Sequence, residues 1–324
     1  MREIARGGSF GDVQAVAGGR LLVATLQALT HPAELVRVAT APSPAGRNPV
    51  ERVTGVNDAF LAGFALRAGE SVTFTGAAGK TVQAFVVKPT GFDPGKTYPL
   101  LVLIHGGPQG SWNDGWTYRW NAQVFASAGY VVFMPNPRGS TGWGQEFTDD
   151  INRDWGGKAY EDVMKGTDFA ESLPFVEMGR TAAAGASYGG YMINWIAGHT
   201  GRFRALVSHD GVFDLVSMYG STEELWFPEW ELGGPYWAHP EGYARDNPRD
   251  FVKNFKTPTL VVHGEKDYRV PIEQGLAMFT ALRRQGVPAR LVVFPDENHW
   301  VLKPANSVRW YDEVTSWLDR WTRN

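Results

Sequence analysis

Short apolar runs and longer amphipathic stretches alternate along the last two thirds of the chain. The apolar runs are typical of strands buried on both faces of a sheet, and they occupy Leu100–Ile104, Tyr130–Met134, Ala182–Gly185, Ala205–Ser208, Thr259–His263 and Arg290–Phe294. Helical patterns intervene over Trp120–Ala128, Ala159–Ser172, Tyr188–Thr200, Ile272–Gln285 and Ser307–Trp321. Strands that alternate with helices of this length form right-handed βαβ units. The pattern therefore predicts an α/β fold with a mostly parallel sheet and helices on both of its faces.

The first part of the chain has a different, strand-rich pattern. Ser71–Thr75 and Val82–Val87 flank Gly76–Gly79 and predict an antiparallel hairpin. Nearer the N-terminus we predict two strands and a Pro/Gly-rich loop, at Arg20–Leu26, Glu34–Ala39 and Ala41–Pro49. Because two or three short strands cannot bury a core alone, we expect residues 1–66 to be an edge of something larger or a strap over a domain at 67–324.

Charge and cysteine content exclude several classes of function. The 324 residues carry 31 basic and 34 acidic side chains, without the basic excess expected of a protein that binds nucleic acid or an anionic membrane. The absence of cysteine excludes disulfides, thiolate nucleophiles and thiolate metal sites. No apolar run approaches the roughly 20 residues that span a bilayer, and Leu21–Leu29 lacks the features of a signal peptide. We therefore expect a cytoplasmic protein.

A candidate nucleophile lies at the junction of a predicted strand and a predicted helix. Gly185-Ala-Ser187-Tyr-Gly189 fits the pattern Gly-x-Ser-x-Gly, in which a tight turn projects the serine hydroxyl above the sheet. Glycine at both ends lets neighbouring backbone approach closely. The alternative is a Gly-rich turn with an N-capping serine, but the strand–turn–helix context favours a nucleophile.

Two later motifs supply the acid and the base that a serine nucleophile needs. Asp267 follows the predicted strand Thr259–His263, and His299 follows the final predicted strand. The order Ser…Asp…His, each just past the carboxyl end of a different strand, is the arrangement of α/β-hydrolases. Asp267 is preferred as the acid because it lies deeper in its loop. The other carboxylates nearby are Glu265, Asp296 and Glu297.

The same sheet edge offers donors for an oxyanion hole. One is expected to be the backbone N–H of Tyr188, the residue after the nucleophile, and the other comes from the Gly-rich loop after Leu100–Ile104. Gly107 is our first choice in that loop and Gly106 the second. The alternative is a plain strand-end turn. No set of histidines and carboxylates has metal-ligand spacing, so we expect neither a metal nor a cofactor.

These motifs together resemble the catalytic domain of the prolyl oligopeptidase family of serine peptidases, in its acylaminoacyl-peptidase and dipeptidyl-peptidase branches. Six ordered segments carry the resemblance: Leu103–Pro108, Asn136–Gly144, Asp154–Gly157, Gly185–Met192, His263–Pro271 and Glu297–His299. The resemblance implies Ser187, Asp267 and His299 as a catalytic triad, with Gly107 and Tyr188 as oxyanion donors. It also implies that Arg269 holds a substrate carbonyl, and a surface ion pair is the equal alternative.

The resemblance implies a β-propeller upstream of the hydrolase domain, whereas here only residues 1–66 precede it. This segment resembles the end of a last propeller blade and the linker that follows. Exposed blade edges would be expected to pair, so we predict that the segment is buried in a homo-oligomer interface or folded onto the hydrolase domain.

The substrate pocket is expected to contain aromatic residues. The segment Leu225–Trp237 is the most aromatic in the chain, and Trp226 is predicted to line an acyl or side-chain pocket, although core packing is the ordinary place for tryptophan. By resemblance, Phe213 and Tyr191 are further candidates. The expected function is hydrolysis of small acyl esters or short peptides through an acyl-serine. The alternatives are an acylaminoacyl- or oligopeptidase and an inactive hydrolase fold.

Overall fold

The structure is a computed structural model that describes residues 2–44 and 46–323, and it contains two β-sheets. The first is antiparallel, with strands in sequence order: β1 (Ser9–Val16), β2 (Leu21–Ala28), β3 (His31–Ala39) and β4 (Glu51–Arg52). The predicted loop Ala41–Pro49 contains no helix or strand where it is described, and its Ala45 lies outside the described residues.

The second sheet has eight strands, in the order β12-β11-β10-β9-β7-β8-β6-β5. They are β5 (Glu70–Thr75), β6 (Thr81–Val87), β7 (Tyr98–Ile104), β8 (Val131–Asn136), β9 (Val176–Ala186), β10 (Ala205–His209), β11 (Thr259–Gly264) and β12 (Ala289–Phe294). The hairpin β5–β6 is antiparallel and β6 pairs antiparallel with β8, whereas the remaining pairs are parallel. The mostly parallel sheet predicted from the apolar runs is thereby confirmed.

Ten α-helices accompany the sheets within the described residues. They are α1 (Asp58–Leu61), α2 (Ala122–Ser127), α3 (Gln145–Asp149), α4 (Lys158–Glu171), α5 (Tyr188–His199), α6 (Leu215–Tyr219), α7 (Trp226–Leu232), α8 (Pro240–Arg245), α9 (Glu273–Arg284) and α10 (Pro304–Thr322). Short 3-10 helices occupy Ala17–Gly19, Ala77–Gly79 and Pro248–Asn254. None of the helices found in this described part is both long and apolar enough to cross a bilayer.

The eight-stranded sheet is covered on both faces, because alternate residues of its strands enter two separate cores. Leu100 and Val102 of β7 pack in the core that α4, α5 and α9 cover. Leu101 and Leu103 point the other way, into the core that α2 and α10 cover. This three-layer arrangement is the α/β-hydrolase fold, and it gathers the loops that follow the parallel strands at one edge.

The N-terminal sheet is attached to the hydrolase domain through the turn between β2 and β3. The Leu29 side chain is 4% exposed and packs in the core beside α2 and α10. Its backbone N–H donates to Asp114 Oδ1 at 2.8 Å, and its carbonyl accepts from Gln123 Nε2 at 3.1 Å. The β2–β3 turn therefore contacts the hydrolase domain, whereas the strap formed by residues 1–66 and the homo-oligomer both stay predictions.

Candidate active site

Ser187 occupies a strained turn between β9 and α5. Its φ is 59° and its ψ −122°, a conformation that non-glycine residues rarely adopt and that costs on the order of 1–3 kcal/mol. Its N–H donates to the carbonyl of His209 at the end of β10, which fixes the turn to the neighbouring strand. Within the described chain the Ser187 hydroxyl has no hydrogen-bond partner, so it is free for chemistry.

Glycine at position 185 is required because the turn folds back on its own strand. A β-carbon on Gly185 would lie 2.5 Å from the carbonyl oxygen of Gly189 and 2.9 Å from that of Ile104. Real carbon–oxygen contacts are about 3.3 Å or longer. The close approach holds the first turn of α5 against β9 and β7.

Asp267 and His299 are brought together by the loops after β11 and β12. His299 Nδ1 lies 2.6 Å from Asp267 Oδ2, and the carboxylate is fully buried. Asp267 Oδ1 accepts from the N–H groups of Arg269 and Val270, at 3.0 and 2.9 Å. Because a carboxylate can only accept, Nδ1 carries the proton, and the opposite ring nitrogen Nε2 is available as a base.

The other carboxylates weighed for this role have different partners. Glu297 accepts from the N–H groups of Leu302 and Lys303, and Asp296 pairs with the Lys303 ammonium. Glu265 is exposed. The geometry therefore favours Asp267 as the acid that orients His299.

Behind this pair lies a buried network that could be mistaken for a metal site. Ligand atoms of Asp210, His263 and Asp267 lie within 4.8 Å of one another. However, His263 Nε2 donates to the Val270 carbonyl at 2.7 Å, so this nitrogen has no lone pair to offer a metal. Asp210 Oδ1 accepts from the Gly264 N–H at 3.1 Å. These bonds hold the end of β11, from which the Asp267 loop departs.

The loop after β7 faces the nucleophile. A β-carbon on Gly106 would lie 3.2 Å from the Ser187 β-carbon, and Gly107 has a φ of 131°, which favours glycine. The N–H groups of Gly107 and Tyr188 donate to no acceptor among the described residues. Because Tyr188 begins α5, the positive end of the helix dipole adds to its donor strength. The sequence assigns both groups to an oxyanion hole, and this assignment stays a prediction.

His105 holds this loop from below. Its Nδ1 donates to the Gly106 carbonyl and its Nε2 contacts the Ser140 hydroxyl, each at 2.8 Å. Burial lowers the pKa of His105 to about 4, so the ring is neutral at pH 7. His105 is therefore a structural support of the loop and not a proton carrier.

Ser187, Tyr188, Gly107 and His299 line one cavity of about 690 Å³. Trp226 and Arg269, both predicted to bind substrate, also lie on its wall. Arg269 forms ion pairs with Glu223 and Glu224, at 3.5 and 3.1 Å. Burial raises the pKa of Glu224, and the Arg269 charge opposes that rise. The predicted surface ion pair and the predicted substrate contact are thus both compatible with the position of Arg269.

Two predicted pocket residues lie elsewhere. Tyr191 is fully buried, and its hydroxyl donates to the Asp246 carbonyl at 2.8 Å. Phe213 is 5% exposed and packs against Phe255. Neither side chain lies on the cavity wall, so both predictions are corrected: these rings belong to the core beneath the site.

Other wall residues were missed by sequence reasoning. Trp300 directly follows His299, a proximity that could have identified it, and Phe227 lies in the aromatic segment already singled out. Trp155 lies in the segment Asp154–Gly157 and Arg119 in the same loop as Gly107, but neither was assigned to the pocket. Leu29 comes from a distant segment without a motif. Leu29 brings the N-terminal sheet to the cavity.

Comparison with known proteins identifies the family. The model of the prolyl oligopeptidase family matches residues 116–324. The chain is 52% identical over 258 residues to dipeptidyl-peptidase 5 of Schizosaccharomyces pombe, covering 79% of this chain and 38% of that protein. For dipeptidyl-peptidase 5 of Aspergillus fumigatus the identity is 48% over 246 residues, covering 74% of this chain and 34% of that protein.

Two solved structures extend the likeness to the N-terminal sheet. The uncomplexed acylaminoacyl peptidase of Pyrococcus horikoshii has a TM-score of 0.87 and 26% identity, over 99% of this chain and 51% of that one. A puromycin-hydrolyzing peptidase of Mycobacterium tuberculosis has a TM-score of 0.78 and 26% identity, over 94% of this chain and 46% of that one. This chain thus spans about a third of the curated relatives and about half of the solved ones. It belongs to the prolyl oligopeptidase family of serine peptidases.

Proposed function

We propose that this chain hydrolyses ester and peptide amide bonds through an acyl-Ser187 intermediate. One observation carries the proposal: the hydrogen bond of 2.6 Å between His299 and the buried Asp267, on the same cavity as a serine in a strained turn. Strained backbone at a cavity is typical of functional sites, and here it bears a nucleophile with no competing hydrogen bond.

Each group has a defined step in this mechanism. Ser187 Oγ attacks the substrate carbonyl carbon while His299 Nε2 removes its proton, and Asp267 stabilises the resulting imidazolium. The N–H groups of Gly107 and Tyr188 donate to the oxyanion of the tetrahedral intermediate. His299 then protonates the leaving group, and a water molecule repeats the sequence to release the acid and regenerate Ser187.

The substrate class is proposed from the cavity and from the relatives. The names dipeptidyl-peptidase and acylaminoacyl peptidase support a peptidase activity. However, about half of each solved relative has no counterpart in these 324 residues, and peptide cleavage depends on remote binding contacts more than activated esters do. We therefore expect ready hydrolysis of short-chain p-nitrophenyl esters and weaker cleavage of peptide amides.

The mechanism is tested with a fluorophosphonate probe and with p-nitrophenyl acetate. We expect stoichiometric labelling of the folded chain, and loss of both labelling and turnover in Ser187→Ala. A folded chain that does not react with the probe would support the alternative, an inactive hydrolase fold. Retained ester hydrolysis by Ser187→Ala would refute the acyl-serine mechanism.

The preference between esters and peptides needs a separate comparison. Specificity constants for p-nitrophenyl acetate and for an acyl-amino-acid anilide are measured on one preparation. Equal constants would overturn the ester preference, because they would mean that the cavity described here already supplies full peptide recognition.

A further inference from the structure

The cationic side chains on the cavity wall have unequal partners. Arg269 is paired with Glu223 and Glu224. Arg119 lies on the same cavity, and no carboxylate in the described chain hydrogen-bonds or ion-pairs with its guanidinium. Its charge is partly buried, and this loss of hydration lowers the pKa of Arg119. The face of the Trp300 ring and, at longer range, the Asp210 carboxylate stabilise this charge, while no acceptor in the described chain takes the guanidinium N–H groups, which can therefore donate to an anion that enters the cavity.

Arg119 lies beside the residue that follows His299, the proposed base. Its guanidinium carbon is 5.2 Å from the ring centre of Trp300, the residue that follows His299. In the proposed mechanism His299 Nε2, the ring nitrogen opposite the hydrogen bond to Asp267, protonates the leaving group. A carboxylate held by Arg119 would therefore lie near the group that protonates the leaving group.

The backbone around Arg119 is fixed on both sides. The Tyr311 hydroxyl donates to the Tyr118 carbonyl at 3.0 Å and accepts from the Asn121 N–H at 2.7 Å. Trp120, which is 8% exposed, has a φ of 53°, a conformation that is unfavourable for a non-glycine residue. A rigid and strained loop that presents a guanidinium to a cavity is typical of a binding site formed before the ligand arrives.

We propose that Arg119 binds a carboxylate of the leaving group, so that the chain acts preferentially on short peptides whose free C-terminus lies close to the scissile bond. The guanidinium fork matches a carboxylate with two parallel hydrogen bonds. A cavity of about 690 Å³ is in the range of small-molecule sites, which suits a short peptide. This inference rests on the proposed function and names its substrate class.

Acyl transfer to dipeptides tests the leaving-group site without requiring peptide cleavage. p-Nitrophenyl acetate acylates Ser187, and either water or an added amine then attacks the acetyl carbon. The new C–N bond replaces the C–Oγ bond, His299 takes the amine proton, and the proton passes to Ser187 Oγ. By microscopic reversibility the amine occupies the leaving-group site. The two acceptors are Ala-Ala and its C-terminal amide, and the rates of acetyl transfer to them are compared at equal concentrations of the unprotonated amine.

For the unaltered chain we expect acetyl transfer to Ala-Ala to exceed transfer to the amide by about 10- to 100-fold, the value of a charge-assisted hydrogen bond. Arg119→Gln should reduce this ratio to near one, Arg119→Lys should retain part of it, and rising salt should lower it. Arg284→Gln, which removes the same charge from the exposed end of α9, is the matched control and should keep the full ratio.

The unaltered chain alone can refute the inference, even where a variant fails to fold. Equal transfer to both acceptors, with Ser187 acylated and turning over, would overturn the role of Arg119 and leave the proposed function standing. Absence of acylation by both p-nitrophenyl acetate and the fluorophosphonate probe would overturn the proposed function instead. A preference that survives in Arg119→Gln would assign the carboxylate to another group.

Discussion

Adding a single methyl group at Gly185 should separate the nucleophile from its oxyanion donors. The new β-carbon would lie 2.5 Å from the Gly189 carbonyl oxygen, about 0.8 Å short of an ordinary carbon–oxygen contact. It would also meet the Ile104 carbonyl at 2.9 Å. Both obstacles are backbone, so neither can rotate away. The first turn of α5 must move relative to β7 and β9.

That movement displaces the Tyr188 N–H from the oxyanion position. A misplacement of about 1 Å costs on the order of 100-fold in rate, so a shift of about 0.8 Å in Gly185→Ala should lower kcat/KM for p-nitrophenyl acetate by about 10- to 100-fold. The rate of fluorophosphonate labelling should fall in parallel, because the probe uses the same nucleophile and donors.

The matched control is Gly201→Ala. Gly201 is exposed, and a β-carbon there would have no neighbour within 4 Å. We expect wild-type kcat/KM for this variant. Thermal unfolding of both variants separates a local displacement from loss of the fold. A folded Gly185→Ala chain with kcat/KM within threefold of wild type would refute the reasoning, since it would mean that the turn relaxes without moving the donors.

Three further predictions concern single side chains. Asp267→Asn should lower kcat by about 10⁴-fold with little change in structure, because the amide stabilises neither the required tautomer of His299 nor its charged form. A loss of kcat below tenfold in steady-state assays would contradict this role. His105 has a pKa of about 4 when folded and about 6.5 when unfolded, so its contribution to stability is complete above pH 6.5 and is lost as the pH falls towards 4. Between pH 6.5 and 5 the free energy of unfolding should therefore fall by about 2 kcal/mol more in wild type than in His105→Gln. Urea titrations at the two pH values would measure this difference, and equal falls in the two proteins would contradict the prediction. Asp162→Asn should cost about 3 kcal/mol of stability, because among the described residues it leaves Asp150 as the one carboxylate that pairs with the buried Arg138. Glu146→Gln, at the exposed pair with Lys80, should cost under about 0.5 kcal/mol, and similar urea midpoints for both variants would refute the difference.

The strands and the catalytic motifs could be predicted because local sequence determines them. The parallel strands are apolar throughout because both faces of the sheet are buried, and this makes them visible as continuous runs. Ser187, Asp267 and His299 each follow such a run, so the edge at which they meet follows from the parallel topology.

The pocket residues were harder to predict because helix α5 is buried almost all round. A helix with an apolar surface on every side gives no signal of which face turns toward a cavity, and Tyr191 was therefore assigned to the wrong environment. Strand β1 was missed for a different reason. It is an edge strand interrupted by an irregularity between Gly11 and Gln14, with Asp12 at a φ of 48°, so the alternation of a regular strand is lost.

Chemistry and selectivity therefore have different origins in this chain. The reacting groups lie in motifs a few residues long, and their role follows from the turn or loop that carries them. The groups that shape the cavity come from the β2–β3 turn, the loop before α2 and helix α7, through Leu29, Arg119 and Trp226. Tertiary packing brings Leu29 and Trp226 to Ser187 from segments remote from the catalytic motifs in sequence, whereas Arg119 lies in the same β7–α2 loop as Gly107. Relatives that share the triad can therefore differ in substrate preference through changes outside the motifs, and with the role proposed for Arg119 a change at this position would alter the charge of the accepted leaving group.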